Sequence, residues 1–216
     1  MELYYAPYSP PSRAVRLIAE YIGLSPKLHY IDVMKGEHLR PEYEEINPEK
    51  KIPFLVDGDL RMGESRAIMV YLVEKYGKNA KILPNDPTGR AFVNLALHFD
   101  LGTLYKAITQ YYFPVILKME ETHSPEKYEK LKECFDILDK MLESQDYVAT
   151  RYLTIADLSL IVTVSTAEVL GFELDKYKNV SKWCEKVKVA TPGYRKINAE
   201  GAELMKRKFY EFSGGK

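Results

Sequence analysis

The chain has 216 residues, of which 46% are hydrophobic and 29% are charged. This length suits one or two domains with a sizeable packed core. Its 31 basic side chains balance 31 acidic ones, whereas nucleic-acid-binding proteins usually carry a basic excess, so nucleic acid is not expected as a partner.

The first part of the chain alternates strand and helix signals. A short aromatic run at residues 3–5 predicts a first strand. Apolar residues at helical spacing over 14–21 predict a helix that Gly23 ends. Residues 28–33 predict a second strand, and a short helix is expected near 41–46.

A hairpin and a third helix complete this part. Two apolar runs flank Asp57-Gly58-Asp59, and Asp-Gly suits the positive φ angles of a tight turn. Ser65 then opens a helix that ends near Gly77. The order β-α-β-α-β-β-α predicts an α/β domain over residues 1–77, in which a parallel strand pair is extended by an antiparallel hairpin.

Strand signals fade after a turn-rich linker at residues 78–87. Residues 90–119 predict one long helix with a kink at Pro114. Four further helices are predicted, at 131–142, 158–170, 180–189 and 202–212. Residues 88–216 are therefore expected to form an all-α helical-bundle domain.

The cysteines and the start of the chain indicate a cytoplasmic location. Cys134 and Cys184 are the only cysteines, and both lie in apolar helical patterns, which predicts buried thiols in a reducing compartment. We find no signal-peptide pattern and no apolar stretch of about 18 residues, so no membrane span is expected. The four histidines lack metal-ligand spacing, and no metal site is predicted.

A Thr-x-x-Asp pattern precedes one of the predicted helices. Thr154 and Asp157 lie between Leu153 and Leu158, which is typical of a capping box with a hydrophobic staple. We therefore expect these residues to support folding, and exclude them from the functional site.

Short motifs occur in a fixed order along nearly the whole chain. In the N-terminal part they are Tyr5-Ala-Pro-Tyr-Ser9-Pro-Pro-Ser-Arg13, Gly36-Glu-His-Leu39, Asn47-Pro48, Ile52-Pro53 and the segment 64–77. In the C-terminal part they are Phe99-Asp-Leu-Gly-Thr-Leu-Tyr105, Tyr111-Tyr-Phe-Pro114 and Leu153-Thr-Ile-Ala-Asp-Leu158. This set resembles the cytosolic glutathione transferases, especially the insect delta class and more loosely the epsilon class.

The resemblance implies a cytoplasmic homodimeric enzyme of the detoxification type, with a thioredoxin-like N-terminal domain. Glutathione would be its co-substrate, small apolar electrophiles its second substrates, and no cofactor would be tightly bound. Two alternatives stay open: a non-catalytic relative that binds glutathione or apolar ligands, and a glutathione-dependent peroxidase. A thiol exchanger is disfavoured, because it would require a cysteine where Ser9 stands.

Such an enzyme has to stabilise the thiolate of glutathione, since a free thiol has a pKa of about 8.5. Ser9 lies where the first strand gives way to the first helix, so its hydroxyl can donate to sulfur at the positive end of a helix. A plain helix cap is the alternative role. Tyr5, Tyr8 and Ser12 are rival hydroxyls, and the resemblance assigns catalysis to Ser9.

The resemblance also implies the residues that bind glutathione. Glu64 would bind the α-amino group, while Ser65 and Arg66 would bind the γ-glutamyl carboxylate; an N-cap role for Ser65 uses the same geometry. Ile52, in a cis peptide with Pro53, would offer its backbone to the cysteinyl unit.

The glycine end of glutathione is assigned to His38 and Lys50. Lys50 stands where the delta pattern usually has histidine, with Lys51 as an alternative. Two further departures are Gly63 in place of tryptophan and His98 in place of tyrosine, the latter in a helix that lines the dimer axis in the family. Candidates for the apolar substrate site are Ala6, Pro11, Val33, Tyr105, Ile108, Tyr112, Phe113, Ile116, Leu117 and Met205.

Overall fold

The computed structural model describes residues 1–78 and 80–213. Asn79, in the expected linker, and residues 214–216, at the end of the expected helical domain, lie outside the described residues.

The N-terminal part is built on a four-stranded sheet. Its strands are β1 (Glu2–Tyr5), β2 (Lys27–Tyr30), β3 (Phe54–Asp57) and β4 (Leu60–Met62), arranged in the order β2-β1-β3-β4. β1 and β2 are parallel, whereas the β1–β3 and β3–β4 pairs are antiparallel. Gly58 in the hairpin turn has φ 62°, as a tight turn requires. The predicted strand topology is confirmed.

Three helices accompany the sheet: α1 (Pro10–Tyr21), α2 (Pro41–Glu44) and α3 (Ser65–Tyr76). α1 connects the parallel strands and packs against α3. The core between the sheet and these helices contains the fully buried side chains of Leu3, Leu17, Ile18, Leu55, Ile68 and Met69.

The second strand is shorter than predicted, because β2 ends at Tyr30 rather than at Val33. The Asp32 carboxylate accepts a hydrogen bond from the Met34 N–H at 3.1 Å and opens a short 3-10 turn, Val33–Lys35. Such a local side-chain bond competes with continuation of the strand.

The C-terminal part is helical, as predicted. Its helices are α4 (Pro87–Phe99), α5 (Tyr105–Ile116), α6 (Pro125–Met141), α7 (Ile155–Val169), α8 (Lys178–Ala190) and α9 (Glu200–Ser213). α7 lies at the centre, with each residue from Ile155 to Ala167 buried.

The long helix predicted over 90–119 is interrupted. A π-helical turn, Asp100–Leu104, separates α4 from α5, and α5 ends at Ile116 with Pro114 inside its last turn. The residues on either side of this turn keep helical backbone angles. The spacing of apolar residues therefore does not reveal the change from α-helix to π-helix. Turns of this kind often occur at functional sites, and Asp100 takes part in the site described below.

A buried arginine joins the two parts of the chain. The Arg13 guanidinium of α1 donates to the Asn198 side-chain and backbone oxygens at 2.7 and 3.0 Å, and to Thr166 Oγ1 of α7 at 2.8 Å. Nearby, a Cβ on Gly201 would lie 2.5 Å from the Pro7 carbonyl oxygen. α9 therefore begins in direct contact with the segment between β1 and α1.

The predicted capping box at α7 is confirmed. Asp157 is fully buried, and its Oδ2 accepts from the Thr154 N–H at 2.8 Å and the Thr154 hydroxyl at 2.9 Å. Its Oδ1 accepts from the Val148 N–H at 2.8 Å and the Trp183 indole at 3.0 Å. Asp157 thus fixes the preceding loop and α8 as well as the start of α7.

Within the described residues, no helix is long and apolar enough to cross a membrane, and no group of histidine, cysteine and acidic side chains could hold a metal ion. Cys134 and Cys184 are free and buried, as predicted. Burial raises the pKa of the Cys184 thiol to about 12, so this side chain is a protonated core residue and a poor nucleophile.

Candidate active site

A cleft between the two parts of the chain contains most of the residues expected to bind glutathione. It is bounded by the first turn of α1, the segment before β3, the start of α3 and the π-helical turn. Its lining residues are Pro11, Asn47, Glu49, Lys51, Ile52, Pro53, Gly63, Glu64, Ser65, Arg66, Leu101 and Tyr105.

Ser9 is the N-cap residue of α1 and lies two residues before Pro11, which lines the cleft; Ser9 itself is not among the lining residues. It has an extended backbone (φ −73°, ψ 120°), is half-buried, and is followed by two prolines at the first helical positions. Its Oγ accepts from the Ser12 N–H at 3.5 Å. Because capping uses an oxygen lone pair, the Ser9 O–H stays available to donate, so capping and thiol activation are compatible.

The rival phenol beside Ser9 already has a partner. The Tyr8 hydroxyl is buried and donates to the Asp32 carboxylate at 2.8 Å. Burial, reinforced by Asp32, raises the pKa of Tyr8. Ser12 is fully buried beneath the helix start. Of Ser9, Tyr8 and Ser12, Ser9 therefore best combines accessibility with an available proton. Tyr5, the third rival, is half-buried at the end of β1, with the Arg16 guanidinium carbon 5.1 Å from the centre of its ring.

Glu64 has a backbone conformation uncommon for a residue with a side chain. Its φ is 58° and its ψ is 98°, and it directly precedes α3. Such a conformation costs about 1–3 kcal/mol and persists where the surrounding structure enforces it, often at ligand-binding sites. It places an exposed carboxylate at the cleft, beside the N–H groups of the first turn of α3.

A buried hydrogen-bonded chain leads from this helix start to the helical part. Arg66 donates to Ser65 Oγ at 3.0 Å and pairs with the Asp100 carboxylate at 2.6 Å. Asp100 is fully buried and also accepts from Ser159 and Thr163 of α7. Ser65 accepts from Arg66 and so keeps its own proton for a ligand.

Arg66 retains further capacity to bind an anion. Within the described residues its buried Nε has no hydrogen-bond partner. The guanidinium also lies 5.6 Å from the centre of the Tyr105 ring. Burial raises the pKa of Tyr105 to about 12, so this phenol is neutral at physiological pH and does not compete as an anion.

The expected cis peptide between Ile52 and Pro53 is confirmed. The preceding Lys51 carbonyl accepts from the Tyr43 hydroxyl at 2.7 Å and from the Asn47 amide at 2.8 Å. These bonds anchor the segment that presents the Ile52 backbone to the cleft.

The lysine pair next to this segment is arranged differently from the expectation. Lys51 lines the cleft, whereas Lys50 does not. The Lys50 ammonium lies 2.9 Å from the Glu44 carboxylate, and its backbone has φ 54°.

His38 is half-buried and does not line the cleft. Its Nδ1 lacks a partner within the described residues, and burial lowers its pKa. Its imidazole is therefore neutral at physiological pH.

The candidates for the apolar site fall into separate groups. Ala6 and Met205 are fully buried together with Tyr8, and Val33 and Ile52 pack against them. The Phe113 ring packs edge-on against the Phe209 ring of α9, with 5.4 Å between the ring centres. Pro11 and Tyr105 line the cleft, and Ile116 is half-buried. The remaining three are placed differently: Ile108 and Tyr112 lie in the main core, and Leu117 is exposed.

Sequence reasoning missed Asp100, Ser159 and Thr163, as well as the Asp32 carboxylate. An aspartate inside the apolar pattern of a helix was the available signal for Asp100, since buried carboxylates generally have partners. Nothing in the local sequence indicated those partners, which are 34 to 63 residues away.

Known proteins share both sequence and fold with this chain. Models of the glutathione S-transferase N-terminal and C-terminal domains match residues 3–80 and 104–188. A delta-class glutathione transferase of Nilaparvata lugens shares 40% identity with a TM-score of 0.94, over 98% of this chain and 99% of that one. A diazinon-metabolizing glutathione S-transferase of the silkworm Bombyx mori shares 32% identity with a TM-score of 0.85, over 95% and 98%. An epsilon-class glutathione S-transferase of the housefly Musca domestica shares 27% identity with a TM-score of 0.90, over 98% and 97%. This chain therefore belongs to the glutathione transferase family, whose co-substrate is glutathione.

Proposed function

We propose that Ser9 is the group that activates glutathione for conjugation to small apolar electrophiles. Its hydroxyl donates to the sulfur, and the N-terminal end of α1 adds a favourable potential. The thiol proton leaves to solvent, the thiolate forms a C–S bond with the electrophilic carbon, and the leaving group departs with its bonding electrons. The available Ser9 O–H at the start of α1 is the observation that carries this proposal.

A steady-state assay with glutathione and an activated aryl halide tests this function. Turnover that depends on Ser9 is the expected result. Tight glutathione binding without turnover would favour the non-catalytic alternative, and turnover with organic hydroperoxides alone would favour a peroxidase. The two buried free thiols agree with a cytoplasmic location.

The γ-glutamyl end of glutathione would lie at the start of α3. The exposed N–H groups of the first turn, the Ser65 hydroxyl and Arg66 Nε are donors suited to a carboxylate, and the Glu64 carboxylate suits the α-amino group. Asp100 would act on this site indirectly, by holding Arg66 in place.

Replacing Ser65 by alanine is expected to raise the KM for glutathione about ten-fold, because a hydrogen bond to a charged group is worth about 1.5–3 kcal/mol. The KM for the aryl halide serves as the internal control and should change little. Steady-state kinetics with each substrate varied in turn measure both values. An equal rise in both would mean that the mutation merely loosens α3.

The glycine carboxylate would be bound by Lys50, with His38 nearby. Because Lys50 pairs with Glu44 in this structure, binding would exchange one carboxylate for another. Lys51, which lines the cleft, is the competing candidate.

Lys50→Ala is expected to weaken glutathione binding by up to about five-fold, since a partly exposed ion pair is worth about 0–1 kcal/mol. Glu44→Gln should strengthen binding slightly, because it removes the competitor of the ligand carboxylate. Calorimetric titration with glutathione and with its glycine-amide analogue measures both effects, and the amide should respond to neither change. If Lys51→Ala alone discriminates between the two ligands, the role belongs to Lys51.

We further propose that the enzyme is a homodimer in which α4 and the π-helical turn face the second copy. Three large apolar side chains are exposed there: Phe92 (53%), Leu95 (61%) and Leu101 (40%). His98, also exposed, lies between them along the chain. Contiguous exposed apolar surface of this kind is typical of subunit interfaces.

Leu95→Glu is therefore expected to shift the protein from dimer to monomer, because it would bury a charge at the interface. Sedimentation velocity measures the change. Val189→Glu is the matched control, since Val189 is an 89% exposed apolar residue on α8 and should leave the dimer intact. A native protein that sediments as a monomer would contradict the proposal.

A further inference from the structure

The last helix covers the apolar side of the active site. Met205 of α9 is fully buried against Ala6 and Tyr8, which lie three residues and one residue before Ser9. Leu204 and Phe209 of α9 pack on the same cluster, as does Met34. Because Ala6 and Met205 have no exposed surface in this conformation, an apolar substrate can reach them only if an element packed on them moves, and α9 contributes three of these side chains.

The start of α9 is fixed more tightly than its middle. Gly201 lies so close to the Pro7 carbonyl and the Arg13 side chain that a Cβ would overlap both. Further along the helix, the contacts with this apolar cluster are made by side chains. A movement that exposes the apolar cluster would therefore pivot near Gly201.

Within the described residues, one ion pair links the middle of α9 to the N-terminal part of the chain. The Lys208 ammonium lies 3.3 Å from Asp32 Oδ2 and 5.1 Å from the centre of the Tyr8 ring. Lys208 is seven residues beyond Gly201, or about 10 Å along the helix. The Lys208–Asp32 ion pair therefore lies well away from Gly201, where it opposes movement of α9 more effectively than a contact at the pivot would.

The Asp32 carboxylate is held rigidly to receive this lysine. Its Oδ1 accepts from the Tyr8 hydroxyl at 2.8 Å and the Met34 N–H at 3.1 Å. Burial alone would raise its pKa, but hydrogen bonds from Tyr8, Tyr30 and Lys208 lower the pKa below the ordinary value. The carboxylate is therefore ionised at neutral pH, and the Lys208 side chain is only a quarter exposed.

We propose that Lys208 is a positioning residue that holds α9 closed over the apolar substrate site through Asp32, and that it thereby sets how long an S-alkyl conjugate stays bound. The inference rests on the proposed function, because the conjugate is the product of the reaction proposed there. Breaking the pair should leave the glutathione cleft intact, because Asp32 keeps its hydrogen bonds from the Tyr8 hydroxyl and the Met34 N–H.

The test compares Lys208→Met, which keeps an apolar stem without the charge, with Lys208→Glu, which places a second carboxylate beside Asp32. Lys206→Met is the matched control, since Lys206 is an exposed lysine on the same helix. Stopped-flow displacement gives the dissociation rate of S-hexylglutathione, whose alkyl tail needs the apolar site. We expect Lys208→Met to raise this rate about three- to ten-fold and Lys208→Glu to raise it further. The affinity for glutathione itself should not change. Lys208→Arg, which keeps the charge, should release S-hexylglutathione as slowly as the native protein.

Hydrogen exchange of the α9 amides supplies a readout that needs no ligand. Exchange over residues 203–212 should accelerate in both charge-removing variants and stay at the native rate in Lys206→Met. If release and exchange in both variants match the control, the proposal is wrong. If native protein binds neither glutathione nor its S-hexyl derivative, the proposed function fails, while the exchange rates still decide the role of Lys208.

Discussion

Ser9→Ala is expected to lower kcat/KM for conjugation about ten- to a hundred-fold while the fold survives. The change removes a hydrogen bond to a charged sulfur, which is worth about 1.5–3 kcal/mol. The thiol of bound glutathione should titrate at a higher pH than in the native enzyme, because the thiolate loses its donor. Ultraviolet absorbance of the bound thiolate against pH measures this shift directly.

Ser124→Ala provides a matched control within the same chain. Ser124 is the N-cap of α6, is followed by proline, and accepts from the Lys127 N–H at 3.3 Å. Both mutations should cost about 1 kcal/mol of stability as lost caps, but only Ser9→Ala should affect turnover. Full activity in Ser9→Ala, with activity lost in Tyr8→Phe, would transfer the role to Tyr8.

Asp157→Ala is expected to lower the free energy of unfolding by about 3–5 kcal/mol. The mutation leaves the buried Val148 N–H, Thr154 N–H and Trp183 indole without an acceptor, and each unsatisfied donor costs about 1–3 kcal/mol. Part of this cost is offset because the variant no longer buries a carboxylate. Denaturant unfolding followed by circular dichroism measures the difference.

The reference for this loss is Thr154→Ala, which removes only the capping hydroxyl and should cost about 0.5–2 kcal/mol. In both variants the folded fraction should conjugate at the native rate, because the partners of Asp157 lie in the loop before α7, at the start of α7 and on α8. A large fall in turnover at unchanged stability would place these residues in the chemistry after all.

The sequence predicted those features that depend on local pattern. The succession of strands and helices in the first part, the cap at Thr154 and the helix starts at Ser9 and Ser65 follow from residue type and spacing, and the structure bears out each of these positions. The role of a hydroxyl at a helix start, by contrast, depends on what approaches it, and local pattern is the same for a cap and for a ligand site.

The polar networks could not be predicted, because their members are far apart in the chain. Arg66 and Asp100 are separated by 34 residues, and Asp32 and Lys208 by 176. The residues of the apolar site are difficult to predict for a different reason, since local spacing suggests too many candidates. Ile108 and Tyr112 share the helical spacing of pocket residues, yet they lie in the main core, because periodicity shows which face of a helix is apolar without showing what covers it.

Arg13 bears on whether the two halves of this chain are independent folding units. Its guanidinium belongs to α1, but both terminal nitrogens donate to Thr166 and Asn198 of the second half, and its Nε has no partner within the described residues. Burial lowers its pKa to about 10, so it is still a full cation at neutral pH. A fragment that ends after α3 would keep this charge in its helix and lose every one of these acceptors, and would also expose the face of α1 that packs on α7. The boundary that separates the two architectures is therefore not a boundary of stability, and the halves should unfold in a single cooperative transition.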